Sequence, residues 1–181
     1  MFALSSLPHL PRFVNPVVPT VSLISASAAK IKHMGFSDWT AGDIRRLRAG
    51  FDHQTLPGQQ FTHAAHIAVG ATYVFEIGRE RALEHLRQAI PSYNLSQGGE
   101  NTDTRGYHET LTRFWIDRLA EFLAEQPSRI MEEQALAAVL TFGHQAKLWE
   151  RYYTFDVVSS LDARRGWIPP DRKDLPAAVP A

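Results

Sequence analysis

The residues best equipped for chemistry are histidines. His63 and His66 stand three apart in Phe61-Thr62-His63-Ala64-Ala65-His66. On a helix that spacing puts two imidazoles on one face, a turn from each other. Imidazole ligates metals and carries protons near neutral pH, so a pair stacked in this way can converge on one ion or one ligand. No Lys, Arg, Asp or Glu occurs between positions 54 and 75. A helix apolar nearly all round is expected to run through the centre of a bundle, taking both rings into a dry interior. The plainer alternative is two core histidines, each hydrogen-bonded to a backbone carbonyl or a tyrosine.

A second constellation is Asn101-Thr102-Asp103-Thr104-Arg105-Gly106-Tyr107-His108-Glu109-Thr110-Leu111-Thr112. Here a polar loop runs directly into an amphipathic helix expected over 107–125. His108 falls on the apolar stripe with Leu111, Thr112 and Trp115, so it is expected to point inward and meet the other two histidines. His63, His66 and His108 then make a metal-ligand set suited to zinc, iron, manganese or nickel, with nothing to choose among them. Glu109, one step round the helix, is expected as a ligand, an orienting group or, with His108, the acid/base pair of catalysis. Asn101, Asp103, Tyr107 and Thr112 are expected to line the mouth and touch substrate. An ion with an open coordination position activates water for hydrolysis or binds oxygen for oxidation, so the enzyme classes implied are metal-dependent hydrolase and oxidoreductase.

Each of these residues also has an ordinary reading. An acid in a first helical turn is favoured by the macrodipole, and Arg113 follows Glu109 by four. Asp103 suits a turn, and the threonines can back-bond to their helix. The competing functional reading is metal-free. In it, a helical ligand-binding or interaction protein uses the same buried His/Glu/Tyr cluster to hydrogen-bond an organic molecule, with aromatic side chains as the walls.

Composition narrows the field further. The chain has 181 residues, 19 Lys and Arg against 19 Asp and Glu, and no Cys. Without cysteine there is no disulfide scaffold, no thiolate zinc site, no iron–sulfur cluster and no thiol nucleophile. A balanced charge argues against a nucleic-acid partner, which needs clustered cations. No run approaches the roughly 18–20 apolar residues of a membrane span, so no membrane partner is expected. The expected partner is a small-molecule substrate or ligand, and a homodimer is left open.

The elements that must position these groups read as helices. Apolar spacing from residue 38 onward is helical, with no alternating segment long enough for a strand, which predicts an all-α, compact bundle of about five to six helices with an irregular C-terminal tail. Thr40 and Asp43 form a capping pair for a helix over 40–50, and 52–60 is a turn. Thr62 caps a helix over 62–77 that stops at Gly78. The next runs over 80–90 and is ended by Pro91, leaving 92–106 as a long loop. After the helix over 107–125, another starts at Pro127 or Ser128 and runs to about 140. His144 to Phe155 is expected to continue helically, with Trp149, Tyr152, Tyr153 and Phe155 more fitted to packing than to a cage. The tail from Gly166, with Pro169 and Pro170, is expected to lie irregularly against the body.

The two motifs, followed by Ala163-Arg164-Arg165-Gly166-Trp167-Ile168-Pro169-Pro170-Asp171, resemble a family of small uncharacterised bacterial proteins. The resemblance covers roughly 38–175 and implies no activity. It leaves the head unmatched. Residues 1–37 carry Arg12, Lys30 and Lys32 but no acid before Asp38. They read as a disordered or mis-started extension preceding one helical domain over 38–181, with a signal or transit segment as the alternative. The expected location is cytoplasmic, or exported or organellar if residues 1–28 are a targeting segment.

Overall fold

A computed structural model of the chain describes residues 35–172; the readings of the head, and of the tail beyond position 172, lie outside the described residues. Six α-helices follow one another: α1 (Ala41–Asp52), α2 (His63–Ile77), α3 (Arg79–Ser96), α4 (Glu109–Ala124), α5 (Met131–Phe142) and α6 (Leu161–Arg165). Single 3₁₀ turns at Phe36–Asp38, Gly58–Gln60 and Leu148–Arg151 join them, and no strand occurs among the described residues. The all-α bundle expected from the periodicity is therefore present.

Local chemistry sets the helix starts. Thr40 and Asp43 form a reciprocal capping box at α1, the Thr40 N–H donating to Asp43 Oδ2 at 2.8 Å. That arrangement satisfies two backbone donors that a helix start leaves open. At α2 the Thr62 hydroxyl accepts from Ala65 N–H. The uncharged segment behaves as its composition demands: in α2, Ala64, Ala65 and every residue from Ile67 to Val74 are buried. With no wet side, α2 must be enclosed, and it packs against α1, α3, α4 and α5. Gly70 permits the close approach of α4, because a Cβ there would sit 2.9 Å from Leu119 Cδ1.

Helix α3 departs from expectation by running through Pro91 to Ser96. A proline inside a helix removes one ladder hydrogen bond and crowds the preceding turn, at a cost of about 3 kcal/mol. The turn beyond it is held by tertiary contacts that offset this. Tyr93 is buried with its ring 4.7 Å from Phe61 and 5.2 Å from Phe51, and its hydroxyl donates to Leu56 O at 2.8 Å. Asn101 Nδ2 also donates to the Pro91 carbonyl. The loop before α4 is accordingly shorter than the proline suggests.

Three smaller departures lie in the second half. Helix α5 starts at Met131 rather than near 128, because Ser128 ties the approach instead, accepting from Ile130 N–H and donating to Glu133. The span 144–155 holds one 3₁₀ turn rather than a helix, and Tyr152 and Tyr153 turn inward against Phe114 at 5.0 and 6.3 Å. The short α6 lies just before the irregular tail, in a stretch for which no element was expected. Beyond it the tail lies against the body as expected: the Thr110 hydroxyl donates to Gly166 O at 2.7 Å and accepts from Ile168 N–H at 3.0 Å, and Tyr153 donates to Ile168 O.

Candidate functional site

The first turn of α2 faces the start of α4 across a cavity of about 340 Å³. Its wall contains His63 and His66 from α2, Gly106, Tyr107 and His108 from the loop before α4, and Thr112 and Trp115 from α4. Phe61 and Trp149 add aromatic surface, and Ile67, Leu86, Leu111 and Leu119 supply aliphatic floor. No Asp, Glu, Lys or Arg lines it. Five of the residues singled out in the sequence are thus gathered at one place, although not in the arrangement expected.

The expected metal centre is not formed. Among the described residues there is no group of three or more His, Asp or Glu side chains placed to hold a metal ion. The physical reason lies at the third member of the set: His63 and His66 each keep one nitrogen, but His108 has none to offer. His63 Nε2 faces the carbonyl of Phe142, the last residue of α5, at 3.1 Å. His66 Nδ1 faces the carbonyl of its own helix cap, Thr62, at 2.7 Å, with its ring stacked 3.8 Å from Phe61. His108 uses both nitrogens, Nε2 on Val157 O at 2.9 Å and Nδ1 as acceptor for Leu111 N–H at 3.3 Å. Backbone carbonyls therefore hold a nitrogen of each ring, and His108 has no lone pair left for an ion. The reading of the chain as a His-ligated metalloprotein, with zinc, iron, manganese or nickel at His63, His66 and His108, is corrected accordingly.

His108 does not lie on the apolar stripe of α4: it is the N-cap, in extended backbone, one residue before the helix begins. It is buried, but its ring is part of the backbone's own hydrogen-bonding. Nor do the α2 histidines lie in a dry interior; they occupy the first turn, at the end of the bundle. His63 is half-buried and His66 exposed. Burial lowers the proton affinity of His63 and of His108, so both rings are neutral at pH 7.

Glu109 is buried at the start of α4, and a bidentate guanidinium claims it: Arg87 Nη2 donates to Oε1 at 2.6 Å and Nε to Oε2 at 3.1 Å. The Tyr107 hydroxyl donates to its Oε2 at 2.7 Å. Arg87 above all, and Tyr107 after it, hold this carboxyl below the usual range, while burial and the same bond raise the Tyr107 phenol. The pair fixes the Tyr107 ring against the cavity while Glu109 itself stays out of the wall.

Asn101 and Asp103 lie outside the cavity and shape the loop. Asn101 accepts from Tyr107 N–H at 3.2 Å and from Asn94 at 3.0 Å. Asp103 takes a two-pronged contact from Arg165 near the tail, at 2.7 and 2.8 Å. Gly106 completes the loop at φ 79°, where a Cβ would lie 2.4 Å from Glu100 O, so only glycine fits between Asn101 and Tyr107. Arg164 then donates to the Tyr107 carbonyl at 3.0 Å.

A second polar cluster escaped the sequence reading. Beside the C-terminal half of α2, Tyr73 donates to Asp52 Oδ1 at 2.5 Å and meets His85 Nε2 at 2.8 Å. Arg48 lies over the Tyr73 ring at 3.5 Å and donates to Asp52, Thr72 and Glu76. A signal for it existed: Thr72 and Tyr73 are the polar groups of a dry helix segment and require partners. The partners come from α1 and α3, at spacings no local pattern links.

Comparisons of the chain with protein-family models, with curated proteins and with solved structures found no match. Among the described residues no helix is long and apolar enough to cross a membrane.

Proposed function

We propose that this protein binds a small, uncharged, largely apolar molecule in the cavity between α2, α3, α4 and the Leu148–Arg151 turn. The observation that carries the reading is the wall itself: about 340 Å³ bounded by aromatic and aliphatic side chains, with a few polar groups at one end and no formal charge. Ligand sites have this make-up, an apolar body with a few placed polar atoms that fix orientation. Rigid supports favour the same reading. The Tyr107 ring is held by Glu109 and Arg87, the His63 ring by Phe142 O, and the loop by Gly106 and Asn101. Groups locked before a ligand arrives lose little freedom when it does.

The test is a thermal-shift screen of neutral one- and two-ring compounds on the full chain, set beside Ala146→Trp. Ala146 is exposed at the edge of the cavity, so an indole there fills the mouth without entering the core. A binder present at 100 times its Kd stabilises the native chain by about 2.7 kcal/mol, a readily measured rise in Tm. The expected result is a rise with the native chain and none with Ala146→Trp. Equal behaviour of the two proteins across the screen would sink the proposal.

A further inference from the structure

The two α2 histidines carry more information than their presence at the cavity. A carbonyl oxygen can only accept, so the ring nitrogen facing it must bear the proton. Phe142 O therefore fixes the Nε2–H tautomer of His63 and leaves Nδ1 as a lone pair. Thr62 O fixes the Nδ1–H tautomer of His66 and leaves Nε2 as a lone pair. His63 is not an exposed residue, yet its Nδ1 is absent from the buried polar atoms that lack a partner, so it is reachable from outside the packed protein. His66 is an exposed residue whose ring stacks on Phe61, and burial of that ring lowers its pKa to about 4, so it too is neutral at pH 7. The cavity thus holds two neutral imidazoles of opposite tautomer, one turn apart, each with acceptor capacity unspent.

The wall also holds donors, the Thr112 hydroxyl and the Trp115 and Trp149 indole N–H groups, of which only the hydroxyl can also accept, so the two imidazole lone pairs are its main acceptors. His108 has both nitrogens engaged, and the Tyr107 hydroxyl is given to Glu109. With no charge in the wall, an anion would meet two lone pairs and no cation, and a cation would meet no carboxylate. Burying either leaves an unpaired charge. A neutral donor meets complementary acceptors. The surrounding surface of Phe61, Trp115 and Trp149 is suited to the face or edge of a ring.

Resting on the binding function proposed above, we infer that the ligand class is a neutral aromatic ring compound bearing an N–H or O–H donor, of the indole or phenol type, with its donor directed to His63 Nδ1 or His66 Nε2. A site built to hydrogen-bond a substrate group rejects the isostere that lacks it far more strongly than it rejects a change of shape, because its own polar atom is then left without a partner.

Isothermal titration of the full chain at pH 7.5 with indole, with benzofuran, in which an ether oxygen replaces the N–H in the same outline, and with benzoate tests this directly. The expected order is indole about tenfold or more tighter than benzofuran, with benzoate weakest. Indole and benzofuran binding equally, or benzoate binding tightest, overturns the donor inference while leaving the cavity reading intact. If none of the three binds and the neutral-ring screen is also blank, the cavity reading itself falls. The comparison is made on the native chain, so it does not depend on a variant folding. His66→Phe, at an exposed residue, supplies the second measurement: the preference for indole over benzofuran is expected to shrink, while benzofuran binding is retained. An unchanged preference in both His66→Phe and His63→Leu would show that imidazole lone pairs do not select the ligand.

Discussion

At the C-terminal half of α2, Tyr73 gives its proton to Asp52, meets His85, and lies under an Arg48 that is itself shared among Asp52, Thr72 and Glu76. At the N-terminal end of the same helix, His63 and His66 each spend one nitrogen on a backbone carbonyl and keep the other. Both regions place histidine beside aromatic rings, and both border an opening, of about 440 Å³ at the Tyr73 end and about 340 Å³ at the histidine end. They differ in what remains unspent. The charged cluster is closed on itself and works as a fastener between α1, α2 and α3. The neutral one is held rigid from behind and left incomplete in front. Completeness of hydrogen bonding, rather than residue type, separates the structural polar cluster from the proposed binding one.

The sharpest way to break this contrast is to exchange loss of stability for loss of binding. Tyr73→Ala removes a ring that is 4% exposed together with the bridge between Asp52 and His85. It is expected to lower stability by about 3–5 kcal/mol, the range for large aromatic deletions in cores. Chemical denaturation measures this, and ring-compound affinity in the remaining folded protein should hold. His66→Ala should do the reverse, lowering stability by only about 1 kcal/mol, for the lost Thr62 bond and Phe61 stacking, while weakening ligand binding. Comparable stability losses in both would dissolve the distinction.

Thr110→Val asks whether the back of the cavity is fastened as firmly as the Tyr73 cluster. Its one hydroxyl satisfies Gly166 O and Ile168 N–H together. Deleting it is expected to cost about 1–3 kcal/mol, with Thr110→Ser recovering most of the loss in the same unfolding assay. A smaller effect, about 1 kcal/mol or less, is expected for Gly70→Ala. The new methyl displaces Leu119 Cδ1, which can swing aside, and helix propensity returns up to about 1 kcal/mol. Gly70 also lines the cavity, so ligand affinity should fall although stability barely moves.

The finest test is acid titration. The folded-state pKa values of His63 and His108 lie below the ordinary histidine value because burial disfavours the imidazolium. The unfolded chain then binds more protons as pH drops, so these two residues contribute stability that is full above about pH 6.5 and is lost as pH falls towards their folded values. Urea midpoints recorded between pH 7.5 and 5 should decline for the native chain and decline less for His63→Gln. Glu109 acts over a lower window. Held down by Arg87, its carboxylate stabilises the fold above about pH 4.3 and ceases to do so as pH falls further.

Much of this architecture was legible before any coordinates. Thr40 with Asp43, Thr62 before an uncharged run, and Gly78 after it mark α1 and α2 because capping and amphipathicity act over a few residues. The site was legible as a neighbourhood, since His63, His66, Tyr107, His108 and Thr112 do line one cavity. Its chemistry was not. Whether an imidazole keeps a nitrogen to offer depends on all the partners its ring meets, among them Phe142 O and Val157 O, 79 and 49 residues away. Pro91 misled for a related reason: the forces that carry α3 past it come from Leu56, Phe61 and Asn101.

The clasp at the end of the described chain bears on how the fold opens. Residues 157–168 reach the rest of the molecule through Val157 O on His108, Arg164 on the Tyr107 carbonyl, Arg165 on Asp103, Gly166 and Ile168 on the one hydroxyl of Thr110, Ile168 O on Tyr153, and Trp167 under Arg113, with Val157 and Ala163 buried. Among the helices, α6 leans chiefly on α4. Such a segment can detach as a unit without separating α2 from α5, as partial openings of native proteins commonly do. When it detaches, His108 and Tyr107 lose their backing, and the cavity loses one side. A molecule seated in the cavity therefore slows that excursion, and deuterium uptake at the Ile168 amide becomes a remote gauge of whether the cavity is filled.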